Sequence, residues 1–295
     1  MSKPNKKHLF IFGPGYTAGF IGQRAVEAGW RVSAGYRDAT KTTALEARGF
    51  IPVSLSDETL GAKLQDASHV LTSVAPTQAG DPILPIFESC LEHLVALEWL
   101  GYLSSTNVYG DHGGDWVDEN TTPAPNLDRG RRRVAAENRW LRVAEQTGVP
   151  LHIFRLAGIY GPGRNAVRTL LDGRARRIFK QGQMFSRVHV KDIEEAVWQG
   201  MHSGLKSQVF NLADDMPAPP QDIIEKAAQH LALPVPPLIP FEDAELSPMA
   251  RSFYTESKRV KNDRVKKLLG LSLRYPTFDS ALEDLADYEK DAQKR

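Results

Sequence analysis

The chain has 295 residues, 41% of them hydrophobic, with 37 basic against 36 acidic side chains. That is enough apolar material for a large core in one domain or two joined ones. The near-balance of charge gives no support to a nucleic-acid or membrane partner. Cys90 is the single cysteine, so no intrachain disulfide can form and a cytoplasmic setting is expected. It has no activating base beside it in sequence and reads as a buried structural thiol. The opening MSKPNKKHLFIFGPG holds an apolar run of only four residues before Gly and Pro, too short for a signal-peptide core. No stretch reaches the length of a transmembrane helix.

Short apolar runs alternate with helical patterns along the first half. A strand is expected at His8–Phe12, then a helix over about Thr17–Ala28, a strand at Arg31–Gly35 and a helix near Thr40–Arg48. Strands at Phe50–Ser54 and His69–Ser73 flank another helix. A long helix is read from Ile83 to Trp99, followed by a strand at Tyr102–Ser105, a helix over Asp128–Gln146 and a strand at Leu151–Leu156. This alternation argues for a parallel sheet with helices on both faces. Beyond Tyr160 the texture changes. The segment 213–250 is rich in proline (MPAPP, LPVPPLIP) and cannot be regular throughout. Helices resume near Gln221–Leu231, Lys261–Leu269 and Phe278–Gln293.

Gly13-Pro14-Gly15-Tyr16-Thr17-Ala18 follows the first strand and opens the first helix. This is the G-x-G-x-x-G/A pattern of a dinucleotide loop. Gly13 allows the tight turn, Gly15 lets a pyrophosphate approach the backbone, and Ala18 lets helix pack on strand, with free N–H groups at the helix start receiving the anion. Gly19 and Gly22 form a second tempting pair, but only six residues would then remain before Gly29, too few for the crossover helix. They read as close-packing positions. An acidic residue ending the second strand would hold the ribose hydroxyls of NAD. Here Tyr36 takes that place with Arg37 beside it, which favours the 2′-phosphate of NADP. Asp38, slightly later, keeps NAD open.

Ser104-Ser105-Thr106-Asn107-Val108-Tyr109-Gly110, Arg155–Arg164 (RLAGIYGPGR), Arg187–Asp192 (RVHVKD) and Val209–Leu212 (VFNL) occur in that order. With the glycine loop they resemble the extended short-chain dehydrogenase/reductase family, of NAD-dependent epimerase/dehydratase type, over nearly the whole length. The resemblance implies a Rossmann-type doubly wound α/β sheet in residues 1–162 and a smaller C-terminal α/β substrate lobe in 163–295, with about 186–213 returning to the first domain. The family's chemistry uses a serine, a tyrosine, and a lysine four residues after it. Ser105 matches the serine. Where the other two are expected, the frame reads Arg129-Gly130-Arg131-Arg132-Arg133-Val134-Ala135-Ala136-Glu137.

Arginine stays protonated, so Arg129 cannot serve as an ordinary proton carrier, whereas Arg133 can still hold ribose hydroxyls. The chain thus resembles an atypical member of the family. Expected cofactor contacts are Gly13, Gly15, Tyr16, Thr17, Ala18, Arg37, Ser73, Val74, Ala75, Pro76, Ser104 and Arg133, with Ser105, Arg129 and Tyr109 facing substrate. Tyr109 and Tyr160 are also read as packing residues, His189 as a structural or pocket hydrogen-bonder and Asp192 as an N-cap. The scattered histidines show no metal-ligand spacing. The expected activity is an NAD(P)-dependent oxidoreductase or epimerase acting on a small, nucleotide-sugar-like molecule. The alternative is a non-catalytic NADP(H) sensor. By family analogy a homodimer would form through the helices expected at Ile83–Trp99 and Asp128–Gln146.

Overall fold

A computed structural model describes residues 7–294. The first six residues, on which part of the N-terminal reading rests, lie outside them. The central sheet has seven parallel strands. Its first five are β1 (His8–Phe12), β2 (Arg31–Tyr36), β3 (Ile51–Ser54), β4 (His69–Thr72) and β5 (Trp99–Ser105). Leu151–Leu156 and Gln208–Leu212 complete it, and the spatial order is β3-β2-β1-β4-β5, then those two. The order runs outward from β1 to β3 and restarts on the other side of β1 with β4. This reversal places a topological switch point at the carboxyl ends of β1 and β4, where ligands of such sheets bind. All five residues of β1 are buried, as expected of a strand covered on both faces.

The helices between the first strands are α1 (Tyr16–Glu27), α2 (Thr42–Glu46), α3 (Leu60–Leu64), α4 (Leu84–Glu88) and α5 (Asp128–Thr147). The core at the sheet joins Phe10, Phe12, Phe87, Tyr102, Trp140 and Ile153 with aliphatic neighbours. Gly22 allows α1 to pack closely, since a Cβ there would stand 2.6 Å from Phe50 Cζ and 2.8 Å from Ile11 Cδ1.

The helix expected from Ile83 to Trp99 does not form as one element. It is replaced by α4, a 3-10 turn at Leu91–His93 and a longer β5. The reason is tertiary. The Glu98 and Trp99 N–H groups both donate to Ser68 O, at 2.8 and 3.2 Å, which starts the β4–β5 register early. The Trp99 indole N–H donates to His152 Nδ1 at 3.0 Å. Apolar residues at helical spacing still reach the core from short turns.

The chain divides into two compact units. One holds the described residues up to Val108, with Leu127–Arg155 and Ile193–Phe210. The other holds Tyr109–Asn126, Leu156–Asp192 and Asn211–Arg295. The second unit contains three short parallel strand pairs: Gly158–Tyr160 with Arg187–His189, Arg177–Phe179 with Leu238–Pro240, and Trp116–Val117 with Arg259–Val260. Its main core gathers Tyr160, Val167, Ile223, Tyr275, Phe278 and Leu285. Glu289, fully buried on the last helix, accepts from Gly163 N–H and Asn165 Nδ2 at 2.6 Å each. That carboxylate fixes the tight 161–165 loop.

Candidate functional site

The glycine loop leaves β1 at Phe12 and enters α1 at Tyr16. Gly13 has φ +75°, and a Cβ there would stand 2.6 Å from Val74 Cγ2 and 3.3 Å from Ser73 Oγ. Both the backbone conformation and the crowding therefore demand glycine. The Ser73 hydroxyl donates to Gly13 O, and Ser73 N–H donates to Phe12 O at 3.0 Å. The structure thus brings the Gly13 turn and the Ser73–Val74 strand end together, as adjacency of β1 and β4 requires.

Gly15 is different. A Cβ built on it meets nothing closer than Gly13 O at 3.9 Å, and its φ of −83° suits any residue. Nothing in the protein asks for glycine there. Gly15 is the N-cap of α1, with no side-chain cap and no acidic residue in the first turn. The positive end of that helix is therefore not neutralised by its own side chains, which suits an anion.

At the end of β2, Tyr36 is half-buried and Arg37 is exposed. The Asp38 carboxylate is committed elsewhere. It accepts from Thr40 N–H at 3.0 Å and the Thr40 hydroxyl at 2.7 Å. These bonds hold it below the usual carboxylate range. Arg37 makes no ion pair among the described residues.

The carboxyl end of β5 carries Ser104 and Ser105. Ser104 is buried and its hydroxyl donates to Glu137. Glu137 also receives Arg155, with Nη2 to Oε2 at 2.7 Å and Nε to both oxygens at 3.2 Å. Glu137 and Arg155 are 3% and 6% exposed, so this is a desolvated charge pair tying α5 to the sheet. Ser105 is half-buried and its hydroxyl accepts Asn107 N–H at 3.3 Å.

Arg129 and Arg133 lie one turn apart on α5, so both project from one face. Arg129 is half-buried in the first turn. Arg133 Nη1 donates to Leu103 O at 3.0 Å and lies 3.4 Å from the Tyr102 hydroxyl. Its guanidinium carbon stands 5.9 Å from the Tyr102 ring centre. Arg133 is therefore held against the end of β5.

Tyr109 belongs to the second unit and is wholly buried; its hydroxyl donates to Asn211 Oδ1 at 2.7 Å. Asn211 N–H in turn donates to Glu119 Oε1 at 2.7 Å. Tyr160 and Tyr275 flank His189, with ring centres 5.1 and 4.0 Å from its own. His189 Nδ1 accepts Lys191 N–H at 3.2 Å. Burial holds its pKa near 4, so it is a neutral structural group. Asp192 does not cap its helix, since it sits inside the first turn of Val190–His202. Its carboxylate instead accepts Arg274 N–H at 2.6 Å and Tyr275 N–H at 3.2 Å.

Sequence reasoning assigned no role to Asp214. It is 2% exposed. One oxygen accepts Met216 N–H at 3.2 Å, and the other has no partner among the described residues. Burial pushes this carboxyl up to about 7. Its place two residues beyond the last sheet strand was the only available signal. Among the described residues no group of three His, Cys, Asp or Glu could hold a metal ion, and no helix is long and apolar enough to cross a membrane.

A family model described as the NAD dependent epimerase/dehydratase family matches residues 84–213. Among solved structures, a functionally unknown conserved protein from Silicibacter pomeroyi DSS is 44% identical, covering 96% of this chain and 99% of that one, at a TM-score of 0.89. UDP-glucuronic acid 4-epimerase from Bacillus cereus, in complex with NAD, is 16% identical over 97% of this chain and 99% of that one, at a TM-score of 0.75. UDP-N-acetylglucosamine 4-epimerase from Bacillus cereus is 15% identical over 97% and 100%, at 0.72. The two distant likenesses show a shared fold. No curated protein matches the sequence. A seven-stranded parallel sheet with a glycine loop at its switch point defines a Rossmann-type protein. Residues 84–213 of this chain match the NAD-dependent epimerase/dehydratase family, and the chain shares its fold with the two Bacillus cereus epimerases.

Proposed function

We propose that this chain binds NADP(H) on the Gly13–Ala18 loop and acts as an oxidoreductase or epimerase on a small, nucleotide-sugar-like substrate, without a tyrosine proton carrier. One observation carries the cofactor reading: Gly15 has open space above it at an uncapped helix start. The nucleotide-sugar class rests on the Bacillus cereus neighbours, whose names specify UDP-sugars, one of them with NAD. NADP is favoured over NAD because Asp38 is spent on Thr40 while exposed Arg37 can clamp a 2′-phosphate.

The bound nicotinamide would supply the hydride acceptor or donor. Gly13, Gly15 and the N–H groups of Tyr16, Thr17 and Ala18 would receive the pyrophosphate, with Ser73, Val74, Ala75 and Pro76 lining the neighbouring strand end. Arg133, fixed on Leu103 O, would hold ribose hydroxyls with its remaining donors, and Ser104 would support that strand end through Glu137. Ser105 would hydrogen-bond the reacting oxygen. Arg129 would stabilise negative charge on that oxygen without giving up a proton. Tyr109, its hydroxyl held by Asn211, would shape the substrate side.

The rival is a non-catalytic NADP(H) sensor. It draws support from the arginine at 129 together with the buried, engaged hydroxyl of Tyr109. Fluorescence titration with NADPH and NADH tests the shared part: NADPH should bind at least about tenfold more tightly, and Arg37→Glu should erase the preference. Failure of both nucleotides to bind at about millimolar concentration would sink both readings. A screen of carbonyl compounds and nucleotide sugars for oxidation of bound NADPH then separates them. Turnover abolished in Ser105→Ala removes the sensor. Tight binding with no turnover removes the enzyme.

A further inference from the structure

The first two turns of α5 carry Arg129, Arg131, Arg132 and Arg133. Arg131 is exposed and paired with Asp128. The other three lie three and four residues apart and so share one face of the helix. Ala136 and Trp140, 3% and 1% exposed, continue that face into the core, and the three arginines are half-buried along it. Arg133, anchored on Leu103 O, fixes where the face points. It turns to the carboxyl end of β5, where Ser104 and Ser105 lie.

This is a costly place for positive charge. The start of a 20-residue helix with no side-chain cap is itself positive, so the dipole disfavours cations in these turns. The nearby carboxylates are engaged elsewhere. Asp128 takes Arg131, and Glu137 takes Ser104 and Arg155. Asp81 accepts the Trp140 indole N–H at 2.9 Å and Ile83 N–H at 2.8 Å. Glu145, the remaining acid of α5, lies more than three turns past Arg132, roughly 20 Å along the axis.

Arg133 meets the neutral oxygens of Leu103 and Tyr102. Arg132 Nε is buried with no hydrogen-bond partner among the described residues. Like charges gathered on one half-buried face are stabilised when an anion lies against them. Transient charge on a reacting oxygen, which Arg129 can meet, leaves Arg132 without a role.

We propose, resting on the reading of this site as one for NADP(H) and a sugar-like molecule, that its substrate carries a permanent oxyanion, a carboxylate or a phosphate, seated on the Arg129–Arg132–Arg133 face. Either group offers paired oxygens to the parallel N–H donors of a guanidinium. A neutral sugar leaves the positive face uncompensated and is selected against. The substrate is therefore an acidic sugar or a sugar phosphate rather than a neutral one.

Calorimetric titration of the full chain with D-glucuronate, D-glucose 6-phosphate and D-glucose tests this, with and without about 1 mM NADPH. At least one of the two anions should bind saturably and at least about tenfold more tightly than glucose. The tighter of the two marks the oxyanion as carboxylate or phosphate. Arg132→Gln should weaken that anion at least about tenfold, whereas Arg131→Gln, on the exposed side of α5, should change it less than about twofold. The proposal is overturned by no saturable heat from either anion up to about 10 mM, or by glucose binding as well as both. An anion preference that survives in Arg132→Gln overturns it equally. NADPH titration of the same protein reads the cofactor loop separately, so tight NADPH binding without an anion preference sinks this proposal alone.

Discussion

Two glycines two places apart in one loop answer to different demands. Gly13 is required by the fold: φ is +75°, and a Cβ would collide with Val74. Gly15 is required by nothing in the chain. Gly15→Val should therefore cost at most about 1 kcal/mol, from the poorer helix cap alone, while weakening NADPH binding at least about tenfold. Gly13→Ala should lower stability by about 1–3 kcal/mol. Melting temperature and NADPH titration on the two variants separate the roles, and equal loss of stability in both would show that Gly15 is a fold residue too. The G-x-G-x-x-A pattern was readable from spacing, because its cause is local backbone chemistry. Asp38 was not. Its commitment to Thr40 depends on the 3-10 turn at Ala39–Lys41, which spacing does not announce.

At the scale of elements, α5 joins the anomalous arginines to the sheet. Glu137, two turns beyond Arg129, receives both Ser104 and Arg155 in a desolvated site. Removing one partner leaves a buried charge uncompensated, which costs about 3–5 kcal/mol. Glu137→Ala should lose stability in that range by urea unfolding. A loss within about 0.5 kcal/mol would mean that water enters and screens Arg155. Strand and helix alternation located β1, β2, α1 and α5 to within a residue or two, since each carries its own periodicity. The stretch after Ile83 misled because Leu84, Phe87, Leu91, Leu94 and Leu97 keep helical spacing while Ser68 O captures the N–H groups of residues 98 and 99. The same capture removes one of the two helices through which a homodimer was expected by analogy, while the other, α5, forms as expected.

For the whole molecule, buried ionisable groups set the response to pH. Burial holds His8, His69 and His189 at about 4, and lowers His152 as well. As pH falls from 6.5 toward 4 the unfolded chain takes up protons that the fold refuses, so these four groups make stability fall on acidification. Asp192 and Asp214 act oppositely. Burial raises them to about 6 and about 7, so the fold holds their protons where the unfolded chain has released them, and their contribution is lost as pH rises through that range. Burial raises Glu119 as well, so four histidines stand against three carboxyls, and the histidines prevail between pH 4.5 and 6. The urea midpoint should therefore rise over that interval and level off near neutrality. A midpoint that instead climbs on acidification would show that the carboxyls dominate.

The sequence by itself determined the glycine loop, the alternating architecture, the family resemblance and the replacement of the expected tyrosine and lysine by Arg129 and Arg133. All of these are written in local spacing and side-chain type. Only the tertiary structure decided that Arg133 rests on Leu103 O, that Tyr109 gives its hydroxyl to Asn211, that Asp192 holds the 274–275 backbone and that Asp214 keeps an unpartnered buried oxygen. Each of those depends on burial and on contacts between residues from about 30 to about 100 positions apart, or on strand ends that meet only when the sheet closes. A hydrogen bond's partner, unlike a turn's glycine, is chosen by the fold.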